Sequence, residues 1–308
     1  MNIMTLINAL PGAVAQGLIW GIMAIGVYLT FRILDFADLT VDGSMCTGGA
    51  VCIMMMQAGF GVWPSMLAAT GVGMLTGLAT GIFHTCMGIP AILSGILTQL
   101  SLYSVNLKIM GKANQAISVG KYDLLVSLRY IKGVPFYQNT IFVVAVFILV
   151  LIAVLYWFFG TELGCAIRAT GCNSSMSRAQ GINTSFNKVL GLMVSNGLVA
   201  LSSALLAQYQ GFADVNMGRG AIVIGLAAVI IGEAVFSKIF RNFALRLLGV
   251  ALGSILYYLV LQTVIWLGID TDLLKLLSAI VVAIFLATPY WKGKYFSKPM
   301  KRGGNSNA

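Results

Sequence analysis

The sequence predicts an all-α, polytopic membrane protein of about eight or nine transmembrane helices, some broken or re-entrant. Three observations carry this. Of 308 residues, 59% are hydrophobic and only 9% charged, whereas soluble domains hold about 25% charged residues. The mean hydropathy is +0.92. Residues 2–31, 43–107 and 133–161 contain no Asp, Glu, Lys or Arg, and each run exceeds the roughly 20 residues a helix needs to cross a bilayer. In lipid the backbone must satisfy itself, which admits helices or a closed barrel. Barrel strands alternate polar and apolar residues over short stretches; these runs are long and unbroken.

Turn and charge signals divide the chain into nine apolar segments, near 10–31, 43–60, 62–84, 90–107, 139–160, 188–211, 220–237, 247–267 and 273–291. The opening MNIMTLINAL lacks the basic n-region of a signal peptide, so no cleavage is expected. Segment 43–60 is short and Gly-rich, and 220–237 starts just after a charged turn, so either is a candidate re-entrant segment. In the third segment Gly73, Gly77 and Gly81 recur every four residues, and Gly17 and Gly21 repeat that spacing in the first. Small residues on one face let membrane helices approach closely. Packing within the chain is the expectation, a dimer seam the alternative.

Orientation follows from the basic residues. The tail KGKYFSKPMKRGGNSNA holds five of them and no acid, so it is expected in the cytoplasm. Counting back, Asp270 and Asp272 fall outside, while Lys238, Arg241, Arg246 and the stretch 161–187 fall inside. One loop conflicts. Residues 108–138 carry Lys108, Lys112, Lys121, Arg129 and Lys132 against one acid, yet parity puts them outside.

The five cysteines, at 46, 52, 86, 165 and 172, show no metal spacing, and disulfides are not expected. His84 has no second histidine to share a metal and is expected at a helix end. No GxSxG elbow or histidine pair suggests an enzyme. The lipid bilayer is the expected surroundings, and no nucleic acid is expected as a partner.

Residues 161–187, TELGCAIRATGCNSSMSRAQGINTSFN, are too polar for a span and too short for a domain. A short surface helix is expected, started by Asn173 or Ser174 and ended by Gly181. It reads equally as a docking element or as a solvated loop. Three of the chain's nine acids, Asp35, Asp38 and Asp42, crowd into RILDFADLTVDGS between two apolar runs. On a helix they would share a face. Asp42 or Thr40 would cap the next span in the simpler reading. The sharper reading is a polar break lining a solute path, because ionisable groups at bilayer depth are costly and persist in cavities and pathways. Arg32 or Arg219 are possible ion-pair partners. A further polar cluster, Gln208, Gln210, Asp214, Asn216 and Arg219, surrounds GFADVNMGRG, external by parity.

The string GCAIRATGCNSSMSRAQGIN, followed by LGLMVSNGLVALSSALLAQYQGF and GLAAVIIGEA, resembles the permease subunits of ABC importers. The branch serves branched-chain amino acids, ribose and related solutes, and permeases of predicted tryptophan/tyrosine-type uptake systems look closest. The opening GLIWGIMAIGVYLTFRILDFADLTVDGSMCTGGAV agrees, so the likeness covers residues 15–51 and 164–234. It implies one permease domain over 1–291 with a basic cytoplasmic tail over 292–308. It also implies that 161–187 couples to an ATPase through Arg168, Gly171, Asn173, Arg178, Gly181 and Ile182; Cys172 departs from that pattern. It places the break beside the translocation path, and the candidate pathway residues are Asp35, Phe36, Asp38, Asp42 and Asn196. Gly-Lys pairs occur at 111–112, 120–121 and 293–294, but none completes a phosphate-cradling GxxxxGK[ST] loop. No cofactor is therefore expected on this chain; ATP and magnesium belong to a separate ATPase. An extracytoplasmic solute-binding protein, a permease homodimer and a bacterial cytoplasmic membrane are likewise implied. An amino acid, an aromatic one among the candidates, or a related small solute is expected. An ion-gradient-driven carrier or channel is the alternative.

Overall fold

A computed structural model describes residues 3–118, 122, 124–131, 138–237 and 239–268, with scattered positions between 273 and 287. Helix α1 (Ile3–Tyr28) runs on through one π-helical turn, Leu29–Ile33. It stops at Asp35, the one non-glycine with positive φ (52°) among the described residues. After this break come α2 (Thr40–Gln57), α3 (Val62–Thr85) and α4 (Ala91–Met110). Then follow α5 (Thr140–Gly160), α6 (Glu162–Cys172), α7 (Ser174–Ala179), α8 (Thr184–Gln210), α9 (Ala221–Phe236) and α10 (Phe243–Trp266).

The boundaries follow the expected segments closely. Five helices are long and apolar enough to cross a membrane: α1 with its π turn, α3, α5, α8 and α10. The other expected spans fall on α2, α4 and α9 and on 273–291, most of which lies outside the described residues, as does the tail 292–308. Helix α2 is a continuous helix rich in Ser, Thr and Gly. Helix α9 has 16 residues, about 24 Å at 1.5 Å each, short of a hydrocarbon core of about 30 Å.

α8 and α1 form the centre. α2 and α3 pack on α8, α9 and α10 pack on α1, α4 lies on α2, and α5 on α1. The α3–α8 contact explains the glycine spacing. A Cβ on Gly77 would collide with the Leu192 carbonyl oxygen, one on Gly73 with Ala200, and one at Gly81 would come within 2.9 Å of the Val189 side chain. Gly17 and Gly21 meet Ile255 and Ala251 of α10. These glycines are thus consumed by packing within the chain.

One element was not expected in an all-α protein. Strand β1 (Asn114–Ala116) pairs antiparallel with β2 (Phe212–Asp214), matching Asn114 to Asp214 and Ala116 to Phe212. The ribbon brings the basic loop after α4 and the polar turn after α8 to the same side of the bundle, as parity has them. Gln57, at the end of α2, joins it by donating to Ala116 O at 2.9 Å.

Candidate functional site

The three aspartates do not share a helix face, because the chain between α1 and α2 is not helical. They occupy three different surroundings. Asp35 is exposed at its left-handed backbone position. Asp38 is 2% exposed. Its Oδ1 accepts from Thr40 N at 2.9 Å, and its Oδ2 accepts from Asn196 Nδ2 at 2.7 Å. Asp38, rather than Asp42 or the Thr40 side chain, therefore serves the start of α2.

Asn196 extends this into a buried ladder. Its Oδ1 accepts from Ser44 Oγ at 2.6 Å, and Ser44 Oγ lies 2.7 Å from Thr76 Oγ1. Beside it, Thr40 Oγ1 lies 2.6 Å from Thr80 Oγ1, which donates to Thr98 Oγ1 at 2.8 Å. The break, α2, α3, α4 and α8 are thereby tied through side chains that water does not reach. Composition-based reading missed these hydroxyls. Their signal is the four-residue spacing of Thr40 with Ser44 and of Thr76 with Thr80 in otherwise apolar segments. Phe36 is buried and stands edge-on to His84, with ring centroids 5.0 Å apart. It packs against that ring. His84 ends α3, its Nδ1 2.8 Å from Ile89 O.

Asp42 caps a helix, but not its own. Its Oδ2 accepts from Gly220 N and its Oδ1 from Ile222 N, each at 3.0 Å, at the N-terminus of α9. A carboxylate there satisfies unpaired N–H groups and sits at the positive end of the helix. Gly218 allows the approach, since a Cβ there would strike the Asp42 carbonyl oxygen. Towards its other end α9 carries Glu233, whose Oε1 lies 2.9 Å from Arg32 Nε. Arg32 therefore pairs with none of the three aspartates. The break is fastened to α9 at Arg32 and again at Asp42. The cluster around GFADVNMGRG is also knitted internally: Asp214 accepts from Asn114 and from Asn216 N, and Gln208 from Leu125 N.

The polar stretch 161–187 forms two helices where one was expected. Thr161 caps α6 and Asn173 caps α7, its Oδ1 accepting from Met176 N at 3.0 Å. Gly181, at φ 80°, turns the chain towards α8. Arg178 is exposed and reaches Thr184 Oγ1 at 3.3 Å. Met176 and Phe186 are also exposed, at 64% and 53%. Arg168 belongs to α6 and lies over the Phe243 ring, 5.5 Å from its centroid, so it is separate from the α7 surface. Ile182 is half-buried. Gly171 touches the break itself: a Cβ there would strike Ile33 O and come within 2.9 Å of Leu34 Cα. All five cysteines are free.

An apolar bundle, a polar break held beside a short helix, and an exposed polar helix pair between two spans together define a multi-pass membrane protein. The chain belongs to the family described as branched-chain amino acid transport system / permease component, whose sequence model matches residues 10–286. Among curated relatives it is 38% identical to a tyrosine transport system permease protein of Clostridioides difficile (strain R20291), over 91% of each chain. It is 27% identical to the fructose import permease protein FruF of Bifidobacterium longum (strain NCC 2705), over 86% of this chain and 73% of that one. It is 28% identical to the autoinducer 2 import system permease protein LsrC of Yersinia pestis (strain Pestoides F), over 68% and 58%. No solved structure matches the chain.

Proposed function

We propose that this chain is the membrane-spanning subunit of an ATP-driven importer for an amino acid, with an aromatic one leading, in a bacterial cytoplasmic membrane. The 38% identity to a tyrosine permease supports the solute. A separate ATPase holding ATP and magnesium docks on α7, and a solute-binding protein delivers from outside. Two copies of the chain enclose the path. The carrying observation is the contact of Gly171 with the Ile33 carbonyl and Leu34. It joins the helix pair that would meet the ATPase directly to the break between α1 and α2.

In this reading α7 offers exposed Met176 and Arg178, with Asn173 and Gly181 setting its ends. Motion of α6 pushes on the break through Gly171. The break moves with α9, because Arg32 and Asp42 both hold it. Asp35 and Asp42 are the acids nearest the solute, whereas Asp38, Asn196 and Phe36 hold the shape of the break. The alternative, a gradient-driven carrier, is not favoured by the family match.

The test is co-purification. The tagged chain, extracted from its host in mild detergent, is expected to carry a soluble ATPase in comparable amount. Arg178→Glu should lose that partner while still inserting in the membrane. A wild-type chain that purifies alone and takes up amino acid in ATP-free vesicles would overturn the proposal.

A further inference from the structure

A cavity of about 400 Å³ opens between α2, α4 and the turn leading into α9, a size within the roughly 300–1,000 Å³ of small-molecule sites. Asp42, Gln99, Tyr103, Asn106 and Arg219 are among its lining residues. Asn106 is 1% exposed, yet neither its amide nitrogen nor its carbonyl oxygen has a hydrogen-bond partner among the described residues. Buried side-chain amides are nearly always partnered, and leaving one empty is costly. A donor and an acceptor held unfilled in the wall of a cavity are the signature of a group that a ligand completes.

The charges say which ligand. Arg219 is exposed and forms no ion pair among the described residues. Asp42 is on the same wall, its carboxylate accepting from the α9 N-terminus. A bare anion attracted by Arg219 meets Asp42, and a bare cation attracted by Asp42 meets Arg219. A zwitterion satisfies both. We infer that this cavity binds a free α-amino acid in the permease itself. The solute's carboxylate pairs with Arg219 and its ammonium lies towards Asp42. Asn106 hydrogen-bonds a polar group of the solute, and Tyr103 flanks its side chain. This rests on the amino-acid reading above and adds a site to it.

The experiment uses the full chain with its ATPase partner in lipid nanodiscs, and tritiated L-tyrosine as the probe. Saturable binding is expected for the wild type, weakened tenfold or more by Asn106→Leu and by Arg219→Gln. Asn106→Leu also separates binding from folding. Removing a buried polar group that has no partner should leave Tm unchanged or raised, whereas a structural role for Asn106 would lower it. Should Asn106→Leu fail to fold, Arg219→Gln on its exposed turn decides alone. Wild-type affinity in both variants, with ATP-dependent uptake at an unchanged KM, overturns the cavity and leaves the importer standing. A wild-type complex that binds and imports no amino acid overturns the solute reading, and the site with it.

Discussion

Replacing Asn196 with leucine would show how much of the bundle depends on its buried amide. Leucine keeps the branched shape, though with more bulk, and removes two long-range hydrogen bonds, to Asp38 Oδ2 at 2.7 Å and from Ser44 Oγ at 2.6 Å. Such bonds average about 0.6 kcal/mol each in membrane proteins, so the pair contributes about 1 kcal/mol. The larger cost is the Asp38 carboxyl group, buried with one oxygen unpartnered, at about 1–3 kcal/mol. Ser44 loses little, since Thr76 remains 2.7 Å away. The sum is about 2–4 kcal/mol, or roughly 6–12 °C in Tm at about 3 °C per kcal/mol. Thermal unfolding of the purified chain, followed by tryptophan fluorescence, measures it. The double variant Asp38→Leu/Asn196→Leu completes a cycle, and a coupling of at least about 1 kcal/mol is expected between residues in contact. Coupling below about 0.5 kcal/mol, the level at which independent sites add, would refute the ladder as a unit.

Asp38→Asn, although nearly isosteric, should lower stability by about 1–3 kcal/mol. Both carboxyl oxygens receive donors, and an amide must turn its own NH2 towards one of them; an unchanged Tm would count against this. Gly77→Ala should cost about 1–3 kcal/mol by forcing α3 off the Leu192 carbonyl. Gly71→Ala, on the same helix with nothing near its new Cβ, should be neutral or stabilising by about 0.5–1 kcal/mol; equal effects on Tm would sink the packing argument. Gly171→Ala should leave ATPase binding intact while reducing ATP-driven uptake, because α6 can no longer rest on Ile33. Uptake and co-purification measured side by side would reveal it, and normal uptake would remove Gly171 from the coupling path.

Much of the architecture was legible from composition and turn chemistry. Most long uncharged runs became helices within about four residues of their expected ends, α1 starting earlier at Ile3, because helix formation in lipid depends on the apolar content of the segment itself. The ends of α7 were equally local: Asn173 accepts a bond three residues on, and Gly181 supplies a backbone angle. The glycine stripes announced a close helix contact. The aspartates were legible only as an anomaly. Their spacing suggested one shared face, but a π turn and the left-handed Asp35 broke the helix that such a face requires. The β1–β2 ribbon left no signal, since two three-residue strands carry too little pattern to read.

What composition and pattern determined, then, is a bundle of apolar helices with a polar break near its start and a polar helical segment in its middle. Only the tertiary structure decided which groups meet. Asp38 finds Asn196 across 158 positions, Asp42 caps a helix 178 positions away, and Arg32 reaches Glu233 across 201. A polar side chain in an apolar run demands a partner, because leaving it bare costs more than a hydrogen bond returns. That demand is written in the residue, but the partner's identity depends on which helix faces come to lie together.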